Sequence, residues 1–302
     1  ANRLATFFQK EKIVAIIGSG GGKTLDTTRI VAEMLKLPVI LCPSTASNDS
    51  PCFSSSHIYS EDGEYEETVY MKKNPLLVLV DTTMIAEGSA RHLACGMAEA
   101  VAAYVEGLTC KASSAKNLLG ANRCMIGEFI SKGCFETILN YGRLALDAVK
   151  CKSITSALEK VVEANILLSG MAAESYGTAA AHAIHHGLTT LDETRNYFHG
   201  EKIAFGVCVQ IMLEGASKEL VDQILTFFVD VDLPVTLKDL GIENPSEQML
   251  LKIAKKENKK NGLFLNEPFN VSDRMIVDAI RAADMLGRRY KEEFEHKSRK
   301  TA

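Results

Sequence analysis

Residues 13–26, IVAIIGSGGGKTLD, limit what this chain can fold into more than any other stretch. A run of β-branched residues (Ile13, Val14, Ile16, Ile17) ends at a glycine cluster, and a helical pattern follows at once. Such a run reads as a strand of a parallel sheet, buried on both faces. Gly18, Gly20, Gly21 and Gly22 let the backbone turn tightly and let a ligand approach it. Lys23, Thr24 and Asp26 then enter a helix whose first N–H groups and dipole suit a phosphate. The Walker spacing requires glycine where Ile17 stands, and the G-x-G-x-x-G fingerprint requires it at Lys23. The residues alone therefore specify an anion-binding turn suited to a nucleotide, and no standard motif.

Downstream, Ile30, Val31, Met34 and Leu35 mark the helix, Pro38 ends it, and residues 39–42 form the next strand. This strand–helix–strand unit is right-handed by the crossover rule. The polar segment 43–51, PSTASNDSP, leaves the carboxyl end of that strand, where open α/β sheets bind ligands. Its donors and acceptors are Ser44, Thr45, Ser47 and Asp49. Residues 56–71 read as a hairpin turning at Glu61-Asp62-Gly63-Glu64, and residues 76–80 as a further strand. The first twelve residues read as the tail of an amphipathic helix, so a portion of the sheet before them is expected to be absent.

From about residue 86 alanine-rich helical patterns replace strands. They are expected at 91–107, 113–128, 135–148, 154–172, 178–189, 203–213 and 219–230. A domain boundary is expected within 84–90, dividing residues 1–87, an α/β part, from residues 88–302, an all-α part. The charge runs at 255–261 and 292–300 read as solvated faces.

A net charge of −4 argues against nucleic acid as a partner. Apolar runs stay short of the roughly 18 residues of a membrane span, and no secretory pattern is visible at the start. The eight cysteines lack a C-x-x-C pair and mostly lie in apolar patterns, as expected for reduced thiols in the cytoplasm. Cys52 is the exception, since it lies in a loop near the glycine turn.

The helical part holds a candidate metal site. His182, His185 and His186 occur in AAAHAIHHGL, and His199 in YFHGEK. His182 and His186 are one turn apart on one face. Glu99, in CGMAEAVAA, is a carboxylate on an otherwise small and apolar helix, which is costly unless it is solvated, paired or bound to metal. A carboxylate and two imidazoles suit Zn²⁺ with a position open for substrate, and iron also accepts them.

The segments GSGGGKTLDT (18–27), PSTASNDSPC (43–52), KKNPLLVLVDT (72–82), CGMAEA (95–100), AAAHAIHHGLT (179–189) and YFHGEKIAFG (197–206) together resemble the glycerol dehydrogenases. These belong to the iron-containing (group III) alcohol dehydrogenase superfamily, and the resemblance covers nearly the whole chain. It implies a dehydroquinate synthase-like fold: a Rossmann-like parallel sheet, here short of its first strands, followed by a helical metal- and substrate-binding domain. It implies NAD-dependent oxidation of glycerol and related vicinal diols, a zinc ion and a homo-oligomer. By the same resemblance Gly20, Gly21, Gly22, Lys23 and Asp26 hold the NAD pyrophosphate, Ser44, Thr45 and Ser47 reach the cofactor, and Tyr59 lines its site. Asp49 binds substrate and acts with His182 and His199 in catalysis. The family's zinc-binding Asp and two His fall on Glu99, His182 and His199, so one ligand is a longer carboxylate here. His186 is a further candidate for moving a proton. The rival expectation is a diverged, non-catalytic relative. A phosphate-handling relative ranks lower, because the substrate positions supply Asp and His where it needs basic residues.

Overall fold

The computed structural model describes residues 1–60 and 63–301, the side chains of Ser298, Lys300 and Thr301 excepted. Helix α1 (Asn2–Phe8) precedes strand β1 (Ile16–Gly20), helix α2 (Gly22–Leu35) and strand β2 (Val39–Pro43). A hairpin of β3 (Ser55–Tyr59) and β4 (Tyr65–Tyr70) follows, then the two-residue strand β5 (Leu77–Val78). β2 lies between β1 and β5 and is parallel to both, with Ile17 opposite Ile40 and Ile40 opposite Leu77. This is the expected strand–helix–strand unit. The left-handed Lys36 closes α2, and its N–H bonds back to the carbonyls of Ala32 and Glu33.

β1 is not buried on both faces. One face packs under α2, where Ile16, Val31 and Ala32 join Ala5 of α1 in a small core. On the other face Ile17 is 67 % exposed, and Leu77 and Leu79 are exposed beside it. No described element covers that side, so the β-branched run reports strand propensity and not two-sided burial.

β3 and β4 pair antiparallel, with a register shift between Ile58 and Tyr59. Asp62, half of the expected Asp-Gly turn, lies outside the described residues together with Glu61. Gly63 has φ +84°, and its N–H bonds to the Ser60 carbonyl at 3.0 Å.

Helices make up the rest: α3 (Thr82–Glu87), α4 (Ala90–Ser113), α5 (Met125–Lys150), α6 (Ser156–Glu163), α7 (Ser169–Tyr176), α8 (Ala180–Leu188), α9 (His199–Leu213), α10 (Lys218–Asp230), α11 (Glu247–Glu257) and α12 (Asp273–Thr301). Side chains of Asp81, Ser89, Thr155, Ser217 and Ser246 accept N–H groups at the starts of α3, α4, α6, α10 and α11. A π-helical turn at Ala164–Leu168 joins α6 to α7.

The helix expected at 113–128 does not form. α4 stops at the left-handed Ser114, and Gly120 also takes positive φ. The turns between are held by side chains. Asn117 Oδ1 accepts the N–H groups of Leu119 and Ala121, and Arg123 donates to the carbonyls of Cys110 and Ala115. These local bonds outcompete a weak helical pattern.

α4 is long and apolar enough by composition to cross a membrane, yet 89 % of its most apolar window is buried in this fold. It is the axial helix of the core. Its own Met97 and Val101 are fully buried in one core cluster with Ile184, Phe205 and Phe228. Glycines allow its close crossings: a Cβ on Gly200 would stand 2.2 Å from the Cys95 carbonyl, and one on Gly206 2.4 Å from that of Ala181. α4, α8 and α9 therefore approach backbone to backbone.

Candidate functional site

The glycine turn has the build of an anion cradle. Gly20 takes φ +152°, and the Ser44 N–H donates to its carbonyl at 2.9 Å, which seats the polar loop against the turn. Gly21 is the N-cap of α2 and no side chain caps it. A Cβ there would meet nothing within 4 Å, whereas one on Gly22 would stand 3.2 Å from Asn48 Nδ2, so the start of α2 is open on the Gly21 side. Lys23 is exposed beside them, and Ser44, Thr45 and Ser47 are half-buried, with Thr45 Oγ1 3.1 Å from Ser47 Oγ. An uncapped helix start without Cβ atoms fits a pyrophosphate.

Asp26 is engaged inside the protein. Its carboxylate pairs with the guanidinium of Arg29, a fully buried residue that the sequence reading passed over. Arg29 also donates to Ser56 Oγ at 3.1 Å, Ser50 Oγ at 2.6 Å and the Phe53 carbonyl at 3.2 Å. Burial raises the Asp26 pKa, and Arg29 opposes that rise. This knot ties α2 to the polar loop and to β3.

Three helices deliver the carboxylate and imidazoles to one point. Glu99 of α4 places Oε1 3.1 Å from Nε2 of His182 and Oε2 2.7 Å from Nε2 of His199. One ligand atom from each lies within 4.8 Å of the others, and Glu99 is buried. Behind them the other ring nitrogens are anchored. His182 Nδ1 lies 2.6 Å from Glu106 Oε2, and His199 Nδ1 lies 2.9 Å from His185 Nε2. Glu106 sits seven residues beyond Glu99, on the same face of α4, and that spacing was the signal for it. Such outer partners fix the tautomer and orientation of a ligating imidazole.

The electrostatics follow from burial among opposite charges. Burial opposes ionisation of Glu99, yet His199 and His182 outweigh it and hold the carboxyl below its usual range. Burial likewise opposes charge on His182, and Glu106 and Glu99 overcome it and raise that pKa well above the ordinary value. Asp49, buried on the polar loop, accepts Ser169 Oγ at 2.8 Å. Burial, then the nearby Glu99, push its pKa up to about 8.

A divalent cation fits this set. Glu99 Oε2 is buried and makes no hydrogen bond, although the His199 ring nitrogen is 2.7 Å away. Two ligands converging on a shared ion produce such a contact. One carboxylate and two Nε2 atoms, each imidazole held from behind, are a zinc- or iron-type donor set with room for a further ligand.

Tyr59, at the end of β3, lies with its ring 6.0 Å from that of Tyr65. Burial raises its phenol pKa, and the negative charges of Asp26 and Glu99 add to the rise. His186 is not part of the cluster: it stacks on Tyr65 at 3.7 Å, and its Nδ1 lies 3.1 Å from Glu257. Burial, with Asp49 adding to it, pushes the Cys52 thiol up to about 12, which makes it a poor nucleophile. All eight cysteines are free.

Comparisons with known proteins agree with this architecture. Residues 1–82 match the family described as iron-containing alcohol dehydrogenase. A glycerol dehydrogenase of Thermotoga maritima is 43 % identical over 95 % of this chain and 78 % of its own length. A glycolaldehyde reductase of Halobacterium salinarum is 39 % identical over 96 % of this chain and 80 % of its own. The crystal structure of glycerol dehydrogenase from Schizosaccharomyces pombe superimposes with a TM-score of 0.93 at 33 % identity, covering 97 % of this chain and 75 % of that one.

Proposed function

Because this chain belongs to the glycerol dehydrogenases of the iron-containing alcohol dehydrogenase family, and is thus an oxidoreductase, we propose that it oxidises glycerol to dihydroxyacetone. Related vicinal diols follow the same route. NAD takes the hydride, and a zinc ion rests on Glu99, His182 and His199. In this reading residues 1–87 hold the dinucleotide and residues 88–302 the metal, with substrate between them. The glycerol dehydrogenase relatives and the converged donor set weigh against a non-catalytic role.

The observation that carries the reading is Glu99, set between two imidazole Nε2 atoms whose rings are held from behind. Zinc there would supply Lewis acidity that lowers the pKa of a substrate hydroxyl. NAD would supply the ring that accepts the hydride. The protein does the rest. The N–H groups at Gly21, Gly22 and Lys23 receive the pyrophosphate, and Ser44, Thr45 and Ser47 line its approach. Asp49, oriented by Ser169, accepts hydrogen bonds from the substrate hydroxyls and fixes the reacting carbon. Glu106 holds a proton on Nδ1 of His182, so Nε2 is the nitrogen that would offer its lone pair to a cation on release of the second imidazolium proton. The same arrangement serves the reverse reduction of an α-hydroxycarbonyl compound.

The test is NADH formation from glycerol by protein of measured zinc content, before and after chelation. Activity that follows zinc content and disappears in His199→Ala supports the reading. Folded, zinc-loaded protein that forms no NADH from any vicinal diol refutes it.

A further inference from the structure

The β3–β4 hairpin carries a side chain that the reaction above leaves unused. Ser56 of β3 is turned to α2, where Arg29 Nε donates to it at 3.1 Å. Neighbouring strand residues face opposite ways, so His57 turns from α2 towards the helical part. A run of rings connects it to the metal cluster. His57 lies 6.2 Å from Tyr65, Tyr65 stacks on His186 at 3.7 Å, His186 lies 5.4 Å from His185, and His185 lies 4.2 Å from His199. Burial lowers the His57 pKa to about 3, and the neighbouring His199, His186 and His182 add to the shift, so the ring is neutral.

Its tautomer follows from its neighbours. His57 Nδ1 lies 3.0 Å from Thr68 Oγ1, its partner across the hairpin, and the same oxygen lies 2.9 Å from the Tyr65 hydroxyl. A phenol is a better donor and a poorer acceptor than an aliphatic hydroxyl. Tyr65 therefore donates to Thr68, and Thr68 donates to His57 Nδ1. The ring proton is left on Nε2, which has no protein partner among the described residues.

We propose that His57 is a specificity residue whose Nε2–H donates to the substrate hydroxyl left over once the metal site and Asp49 hold the reacting pair. This rests on the polyol oxidation proposed above. A vicinal pair satisfies Asp49 and the Glu99 cluster, and the third hydroxyl of glycerol then enters the cleft in need of a partner. Burying it without one is unfavourable. Propane-1,2-diol has a methyl group there and gains nothing from the donor. His57 thus favours glycerol over the diol.

Steady-state kinetics of His57→Val and His57→Gln on glycerol, propane-1,2-diol and NAD test this. Valine suits a strand, and a thermal melt of each variant confirms folding. In His57→Val, KM for glycerol rises roughly tenfold, while the KM values for propane-1,2-diol and NAD stay unchanged. Glutamine, whose amide N–H reaches to where Nε2 was, restores part of the loss. An active wild type whose His57→Val variant treats both polyols alike overturns the selectivity alone. A folded, metal-loaded wild type inactive on both overturns the proposed function and the selectivity with it. Nitrogen-15 NMR of histidine-labelled protein gives a readout independent of turnover: Nε2–H is expected at His57, and a proton on Nδ1 overturns the assignment.

Discussion

His182 and Glu106 meet at 2.6 Å on the side of the imidazole away from Glu99. The other oxygen of Glu106 accepts the N–H groups of Ala179 at 2.8 Å and His182 at 2.9 Å. One buried carboxylate thus sets a ligand's tautomer and caps the helix that carries it. Glu106→Gln should lower zinc affinity by about 10–100-fold. Competition with a chelating dye measures this, and unchanged affinity would leave Glu106 a purely structural cap.

The crossing of α4 and α9 depends on Gly200, next to His199. A Cβ at Gly200 would press on the Cys95 carbonyl, one turn before Glu99 on α4. Gly200→Ala should therefore push His199 from Glu99, at a cost of about 1–3 kcal/mol in stability. Far-UV circular dichroism should be preserved while bound zinc and activity fall together. Full zinc content in the variant would show that the helices absorb the methyl group.

Arg29→Met leaves the half-buried Asp26 carboxylate without its counter-charge. Breaking such a pair costs about 3–5 kcal/mol. KM for NAD should rise more than kcat falls, because the knot positions the polar loop and not the metal ligands. Arg29→Lys should not restore it, since one ammonium cannot reproduce a fork that serves Asp26, Ser50, Ser56 and Phe53. Denaturant titration and NADH fluorescence measure the two effects.

Glu267 gives stability a dependence on pH. Burial above all, then Glu214, push its pKa from 4.5 up to about 9. Its Oε1 accepts the Ala180 N–H at 3.2 Å. The folded protein keeps this proton where the unfolded chain has lost it. The stabilisation is therefore complete below about pH 4.5 and declines as pH rises towards about 9. Glu267→Gln imitates the protonated acid, so its melting temperature should fall less than that of the wild type across this range. Parallel slopes in the two proteins would exclude Glu267 as the source.

Local signals made much of this molecule legible. The glycine turn, the strand after Pro38 and the polar loop announced themselves through residues with few conformational options. Glu99, His182 and His199 were legible only as chemistry, since no spacing joins residues on three separate helices. Arg29 stayed hidden because an arginine on a helix ordinarily faces solvent. The failed helix at 113–128 was decided by Asn117 and Arg123, whose side chains compete for the backbone in a way that hydrophobic periodicity does not register.

The π turn at Ala164–Leu168 inserts one extra residue into the rod from α6 to α7, and the Ser169 N–H reaches back to the Ala164 carbonyl. Everything beyond it is rotated by about 100° relative to an uninterrupted helix. Ser169 thereby points at Asp49, and Glu174 points at Ser54 and Asn74. Deleting any single residue of that turn would keep the rod straight and its core stripe intact upstream. It would also swing Ser169 off Asp49 and Glu174 off Ser54 and Asn74, and it would turn Ala172 and Ala173 out of the core that they share with Phe53 and Ala103, so the register of that one turn sets both the packing of α7 and its grip on the α/β part.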